Sequence, residues 1–367
     1  MADGANKNVT LASVRSGQKK LQRDDVTKSE DIKQLQRAIY MAGFWSSPSE
    51  PDGVYGIYTE CAVRGFQYEK GLQTSGVVDK ATLSKLEAWS GTLSATRSKS
   101  PALTYIRRGT QYAVSGDIGA APTQIRGLLI KKGYNCASTG PFNAELVGVV
   151  KKFQKDSGLT QDGSVGQVTL AVLENTVSDT GWLSNGTVRL TAGLLARCGF
   201  KQTLLCSEFV SKLNSFFNTH KINTKPKVRQ VLAQILAETQ YGTRLMEGGY
   251  RAGVKVKWDG AARYFPYYGG GFIHVTFDYA YRDFSTYIND PKAFTPKEYA
   301  TQHVAYTHPG TSAGWFLTVL KKTQWDRINW SAGEEKVCKA VTDVVRGVGL
   351  PYKERYEFYK KIATILK

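Results

Sequence analysis

The sequence predicts a mainly α-helical protein, with two small three-helix units followed by a larger helical domain. Two observations carry this: a stretch of chain returns at a fixed offset, and apolar residues recur at helical spacing in both halves. A chain of 367 residues is also too long for one average domain and suggests two or three.

The stretch "FQYEKGLQTSG" from Phe66 returns as "FQKDSGLTQDG" from Phe153, a shift of 87 residues. That shift also carries Gly71-Leu72 onto Gly158-Leu159, Gly76 onto Gly163, Thr82-Leu83 onto Thr169-Leu170 and Leu86 onto Leu173. Gly53 falls onto Gly140, and Tyr55 onto Phe142. So many coincidences at one offset mark a duplicated module. In the first copy Ile32, Leu35, Gln36 and Ile39 form a helical stripe that stops at Gly43. A Gly- and Pro-containing loop follows, then a helix bearing Ala62, Val63 and Phe66. A turn at Gly71 leads to a short last helix through Leu83 and Leu86. In the second copy Ile125, Leu128 and Leu129 begin the pattern and Gly133 ends it. The expected modules are residues 31–90 and 119–177. Residues 1–30 read as an N-terminal arm, 91–118 as a polar linker with one strand-like piece at Tyr105-Ile106, and 178–189 as a second linker. Residues 190–367 form the large domain.

In order along the first copy stand Leu35-Gln36, Gly43-Phe44, Asp52-Gly53, Tyr55-Gly56, Thr59, Ala62-Val63, Phe66-Gln67 and Gly71-Leu72. This series resembles the three-helix peptidoglycan-binding domain of cell-wall hydrolases. The second copy departs, with Thr139 in place of Asp52 and Asn143 in place of Gly56, so its groove is expected to bind differently or weakly. Phe66, Leu72, Phe153 and Leu159 read as core, because a tiny domain needs every apolar side chain it has. Asp52, Tyr55 and Tyr58 in the first loop are the candidates for sugar or peptide contact.

The C-terminal part reads as helices at "SEFVSKLNSFFNTHKI", "KPKVRQVLAQILAET" and "YKERYEFYKKIATIL". In the second of these Val228, Val231, Leu232 and Ile235 share one face, and Glu238 falls on the border of that stripe. Partial desolvation and the helix C-terminus both disfavour an anion there, as a general acid requires. Glu247, in the glycine-containing "RLMEGGY" with Arg244 close by, has the polar setting that suits a general base. Two carboxylates in unlike surroundings form the acid and base of glycoside hydrolysis, and inverting enzymes hold them about 6.5–9.5 Å apart. Taken alone, each glutamate reads more readily as surface charge.

Three further stretches bear on that choice: "FPYYGGGFIHVTFDYAY", "TSAGWF" and "VTDVVRGVGLPYKERYEFY". With "FVSKLNSFFNTHKINTKPKVRQVLAQILAET" they resemble glycoside hydrolase family 19, the fold of plant-type chitinases and many phage lysozymes, over nearly all of residues 190–367. The resemblance implies that Glu238 is the acid, Glu247 the base, and Thr276 a holder of the attacking water. It puts His274 in contact with sugar and has Tyr268, Phe272, Tyr279 and Tyr281 line or support the cleft. Gly270 stands where that family usually has Arg, and Arg346, a candidate substrate contact, where it usually has Asn. Asp259 and Asp278 are second candidates for the base.

A net charge of +18, most of it from Gly181 onward, favours polyanionic partners: nucleic acid, anionic membrane or an acidic wall polymer. Only charge speaks for nucleic acid, which is not an expected partner. No apolar stretch is long enough to span a bilayer, and the basic N-terminus lacks the apolar core of a secretory signal, so synthesis and initial retention in the cytoplasm are expected. The five cysteines (Cys61, Cys136, Cys198, Cys206, Cys338) read as free thiols. The four histidines show no H-x-x-x-H or Cys/His spacing, so neither metal nor cofactor is expected. These readings together describe a monomeric, bacteriolytic endolysin or virion-associated lysin. It would bind bacterial peptidoglycan, cut its MurNAc–GlcNAc β-1,4 bond and, as an endolysin, depend on a separate membrane pore for release. A chitinase and a non-catalytic wall-binding protein are the alternatives.

Overall fold

The computed structural model describes residues 9–23, 28–44, 51–93, 98–174, 181–182, 185–201, 207–242, 244–247 and 266–367. Asp259 and Cys206 lie outside these residues. The protein is mainly helical, as the sequence predicts, and among the described residues β structure is confined to isolated bridges. Helices α1 (Leu11–Ser16), α2 (Glu30–Met41), α3 (Ile57–Glu69) and α4 (Lys80–Ser90) build the first repeat. Helices α5 (Leu103–Arg107), α6 (Ala120–Lys131), α7 (Ala144–Asp156) and α8 (Gln167–Glu174) build the second. The C-terminal part contains α9 (Ala192–Cys198), α10 (Ser207–Thr219), α11 (Lys225–Glu238), α12 (Asp278–Ile288) and α13 (Lys297–Thr307). It continues through α14 (Pro309–Trp315), α15 (Lys322–Asp326), α16 (Glu334–Arg346) and α17 (Lys353–Ile365). Among the described residues, no helix is long and apolar enough to cross a membrane.

The chain divides into two compact units, Met1–Ser98 with Arg244–His308, and Lys99–Thr243 with Pro309–Lys367. Each unit therefore holds one repeat and part of the C-terminal chain. In the first repeat Leu35, Ile39, Val63, Phe66, Leu83 and Leu86 meet in one core, and Leu11, Val14 and Leu21 complete it. Leu21 and Val78 exchange backbone hydrogen bonds of 2.9 and 2.7 Å. The second repeat repeats the plan: Leu103, Ile106 and Ala113 join its core, and Ala113 pairs with Val165 at 3.0 and 2.8 Å. The arm and linker segments thus contribute a short helix to each module. Tyr105-Ile106 lies in α5 and not in a strand, because a three-helix unit leaves an open flank that these few apolar residues close.

Duplicated polar side chains hold the turns. Gln67 donates to Val77 O (2.8 Å) and Thr82 Oγ1 (3.0 Å) and accepts from Gly76 N–H (2.9 Å). Gln154 makes the corresponding contacts with Ser164 O (2.9 Å), Thr169 Oγ1 (3.3 Å) and Gly163 N–H (2.9 Å). In the first unit α13 lies directly against α3. A Cβ at Gly65 would fall 1.8 Å from Gln302 Oε1, so a larger residue here would displace the buried Gln302 side chain. Tyr68 stacks on Tyr299 with ring centres 4.5 Å apart, and Phe44 meets Tyr306 at 4.3 Å.

In the second unit α11 runs through the middle and packs on α16 and α17. The sequence suggests a one-sided stripe, but every residue from Gln230 to Leu236 is buried. Its two buried glutamines donate to partners on or beside α16: Gln230 to Glu334 O and Gln234 to Thr342 Oγ1, each at 3.0 Å.

Candidate functional site

Glu238 is the last residue of α11. Burial of the helix fixes its backbone, and the chain turns away at once: Thr239 Oγ1 bonds back to Ile235 O and accepts from Gly242 N–H at 2.9 Å. The Glu238 side chain is 16% exposed and ion-paired with Arg355 of α17, itself 6% exposed. Arg346 Nε, at the end of α16, lies 3.9 Å from the same Oε1. The greasy margin expected around Glu238 is therefore a charged one, with two guanidiniums from two further helices facing the carboxylate. Sequence reasoning missed Arg355. Its signal was present: Arg355, Tyr359 and Ile362 share the buried face of α17, and an arginine on an apolar stripe implies a buried partner.

Glu247 belongs to the other unit and is described in its own surroundings. It lies in a pinched loop. Its N–H donates to Gly269 O (2.8 Å) and its Oε2 accepts from Gly269 N–H (3.0 Å), while Gly270 pairs with Met246 and Val275 on either side. The two bonds fix the direction of a half-buried carboxylate. His274 borders the same glycine, since a Cβ on Gly269 would meet His274 Cβ at 2.8 Å and Glu247 Cβ at 3.3 Å. His274 has φ 51°, in the left-handed region, and Thr276 follows two residues on, half-buried.

The aromatic candidates divide by burial. Phe272 and Tyr281 are 0% and 1% exposed and Tyr268 5%, so these three support the loop and present no face to a sugar. The Tyr281 hydroxyl donates to Tyr268 O at 2.6 Å, and burial pushes its pKa up. Tyr279 is exposed at 43%, beside the exposed Asp278 at the start of α12. Gly270 leaves no room for the arginine of the resembled family: a Cβ there would lie 2.8 Å from Tyr281 Oη and 2.9 Å from Thr301 O.

In the first repeat the loop candidates serve the fold. Tyr55 is 1% exposed and its hydroxyl donates to Gly76 O at 2.7 Å, which corrects its reading as a contact residue. Asp52 Oδ1 accepts from Gln36 Nε2 and Val54 N–H, both at 2.9 Å, and so ties the loop to α2. Tyr58 stays half-exposed on α3. In the second repeat Arg126, 1% exposed, takes the place of Gln36 and bonds Pro141 O (3.0 Å), Asn143 Oδ1 (2.8 Å) and Glu145 (3.0 Å). The departures at Thr139 and Asn143 go with this different clamp. Among the described residues, one group, Asp290, His303 and His308, has the composition and convergence to hold a metal ion.

The family model for a peptidoglycan binding domain matches residues 28–86 and again residues 119–173. The two matches run from α2 into α4 and from α6 into α8, and they give the chain two peptidoglycan-binding domains and with them cell-wall binding. No curated protein matches the chain. No solved structure matches it either.

Proposed function

We propose that the protein is a wall-bound muramidase, which binds peptidoglycan through its repeats and hydrolyses the β-1,4 bond between MurNAc and GlcNAc. Glu238 is the general acid and Glu247 the general base. The observation that carries this reading is Glu238 itself, a partly accessible carboxylate at the tip of a buried helix, faced by arginines from two others. Burying a guanidinium against a carboxylate is costly, and this pair lies where α11, α16 and α17 meet.

Glu238 is paired with Arg355 and Arg346 at rest, so it first takes a proton from solvent. It then gives that proton to the leaving glycosidic oxygen and restores the paired carboxylate. Glu247 takes a proton from water as that water attacks the anomeric carbon from the opposite face, with Thr276 helping to hold it, and the configuration inverts. Both carboxyls return to their starting states by exchange with solvent. The repeats raise the local concentration of substrate around the catalytic part. We further assign the chain to a bacteriophage, as an endolysin released through a separate membrane pore or as a lysin carried on the virion.

Replacing Glu238 with Gln keeps shape and removes the proton. Glu238→Gln is expected to abolish clearing of a cell-wall suspension while sedimentation with purified walls stays at the wild-type level. An unchanged clearing rate would overturn the acid assignment. A chitinase would instead act on colloidal chitin and leave the walls intact.

A further inference from the structure

We propose that Asp290, His303 and His308 form a zinc-binding site, with Glu69 of α3 orienting one of its histidines. The inference goes beyond wall binding and hydrolysis and uses none of their residues. Asp290 Oδ2 lies 2.8 Å from His303 Nε2 and 2.9 Å from His308 Nε2, and the three ligand atoms lie within 4.8 Å of one another. His303 is 6% exposed, His308 21% and Asp290 26%, so the group sits just beneath the surface. A zinc ion could reach it and a fourth position could be filled by water.

The geometry assigns each part a role. Asp290 caps the 3-10 turn Pro291–Ala293, its Oδ1 accepting from Lys292 N–H at 3.0 Å, which turns Oδ2 toward the histidines. Glu69 Oε1 lies 2.9 Å from His303 Nδ1. A carboxylate on the far nitrogen of a ligating histidine keeps the proton on Nδ1 and leaves Nε2 for the metal. Zinc takes the Nε2 position that faces Asp290, and any proton held there leaves to solvent on binding. Two imidazoles and one carboxylate are a zinc donor set, and neither calcium nor magnesium favours nitrogen. Zinc bonds of about 2.0–2.1 Å put tetrahedral ligand atoms about 3.3 Å apart, so the two Asp290–histidine separations must each open by about 0.5 Å to admit the ion. Four residues separate His303 from His308, a spacing found in zinc sites, and Asp290 comes from another element.

The test is zinc uptake by the full-length protein, stripped with a chelator and titrated with Zn²⁺ against a chromophoric competitor. One equivalent per chain is expected. His308→Gln, at the more exposed of the two histidines, and Asp290→Asn should each weaken binding at least about 100-fold, and Glu69→Gln about 10- to 100-fold. Circular dichroism checks that each variant is folded. No uptake by the wild type, or equal uptake by wild type and His308→Gln, would overturn the site. So would a wild type whose melting temperature ignores zinc and chelator while His303→Gln lowers it, because the group would then be a hydrogen-bonded ion chain only.

Discussion

Arg355 sits with Tyr359 and Ile362 on the buried face of α17, and its counter-charge is Glu238. Breaking a buried pair by removing one partner leaves the other charge uncompensated. Arg355→Met should therefore cost about 3 kcal/mol, the low end for such pairs, because Glu238 keeps some access to water. Chemical denaturation measures this, and a loss below about 1 kcal/mol would place the pair among surface ion pairs. Gly270→Ala tests the loop that carries Glu247. The added methyl meets Tyr281 Oη and Thr301 O, and overpacking of this kind costs about 1–3 kcal/mol, read as a lower melting temperature. A third residue-scale effect concerns pH. Burial works against the carboxylates of Asp52 and Asp162. Hydrogen bonds from the Gln36 side chain and Val54 N–H to Asp52, and from Ser164 N–H and the Gln154 side chain to Asp162, outweigh it and hold both pKa values below the usual range. A depressed value in the folded state gives stability that is present above the unfolded value of about 3.9 and is lost as the pH falls. Asp162→Asn should accordingly lose less stability than the wild type between about pH 6 and about pH 3. Equal losses would show that the Asp162 hydrogen bonds contribute nothing.

At the scale of elements, the duplication was legible because its turns are fixed by residues that cannot be exchanged freely. Gly76 and Gly163 share φ 75°, and Gln67 and Gln154 make matching bonds. The helix stops at Gly43 and Gly133, and the positions of α2, α3, α6, α7, α11 and α17, follow directly from apolar spacing and glycine. The short helices α1 and α5 were not legible, since two or three apolar residues in a polar segment give no period to detect. Tyr55, Tyr268, Tyr281 and Phe272 stand out in the sequence as candidates, but their burial does not, because an aromatic ring that supports a loop and one that stacks on sugar look alike in sequence. The structure also separates the two repeats. In the first, the face of Phe44, Gly65, Tyr68 and Glu69 is covered by α13. In the second, the corresponding face borders an open cleft of about 770 Å³ lined by Tyr134, Gly148, Lys152 and Asp156, among others. Lys152 lies over the Tyr134 ring at 5.6 Å, and the Tyr134 hydroxyl donates to Asp156 at 2.9 Å. The second repeat is thus expected to do more of the wall binding. Lys152→Glu should reduce the fraction of protein sedimenting with walls several-fold without changing the melting temperature, and unchanged sedimentation would move the binding face elsewhere.

For the whole molecule, wall binding and catalysis are parts of one reading, and the charge of +18 links them by drawing the chain to an anionic polymer. That attraction is screened by salt. Raising ionic strength from about 0.1 M to about 1 M shortens the Debye length from about 10 Å to about 3 Å. Adsorption to walls should fall over this range, while the melting temperature changes little. The central claim is the bond that is cut. Mass spectrometry of peptidoglycan digested by the full-length protein tests it most directly. Fragments with reducing-end MurNAc are the predicted result, while fragments ending in reducing GlcNAc or anhydro-MurNAc, or an undigested polymer, would contradict it.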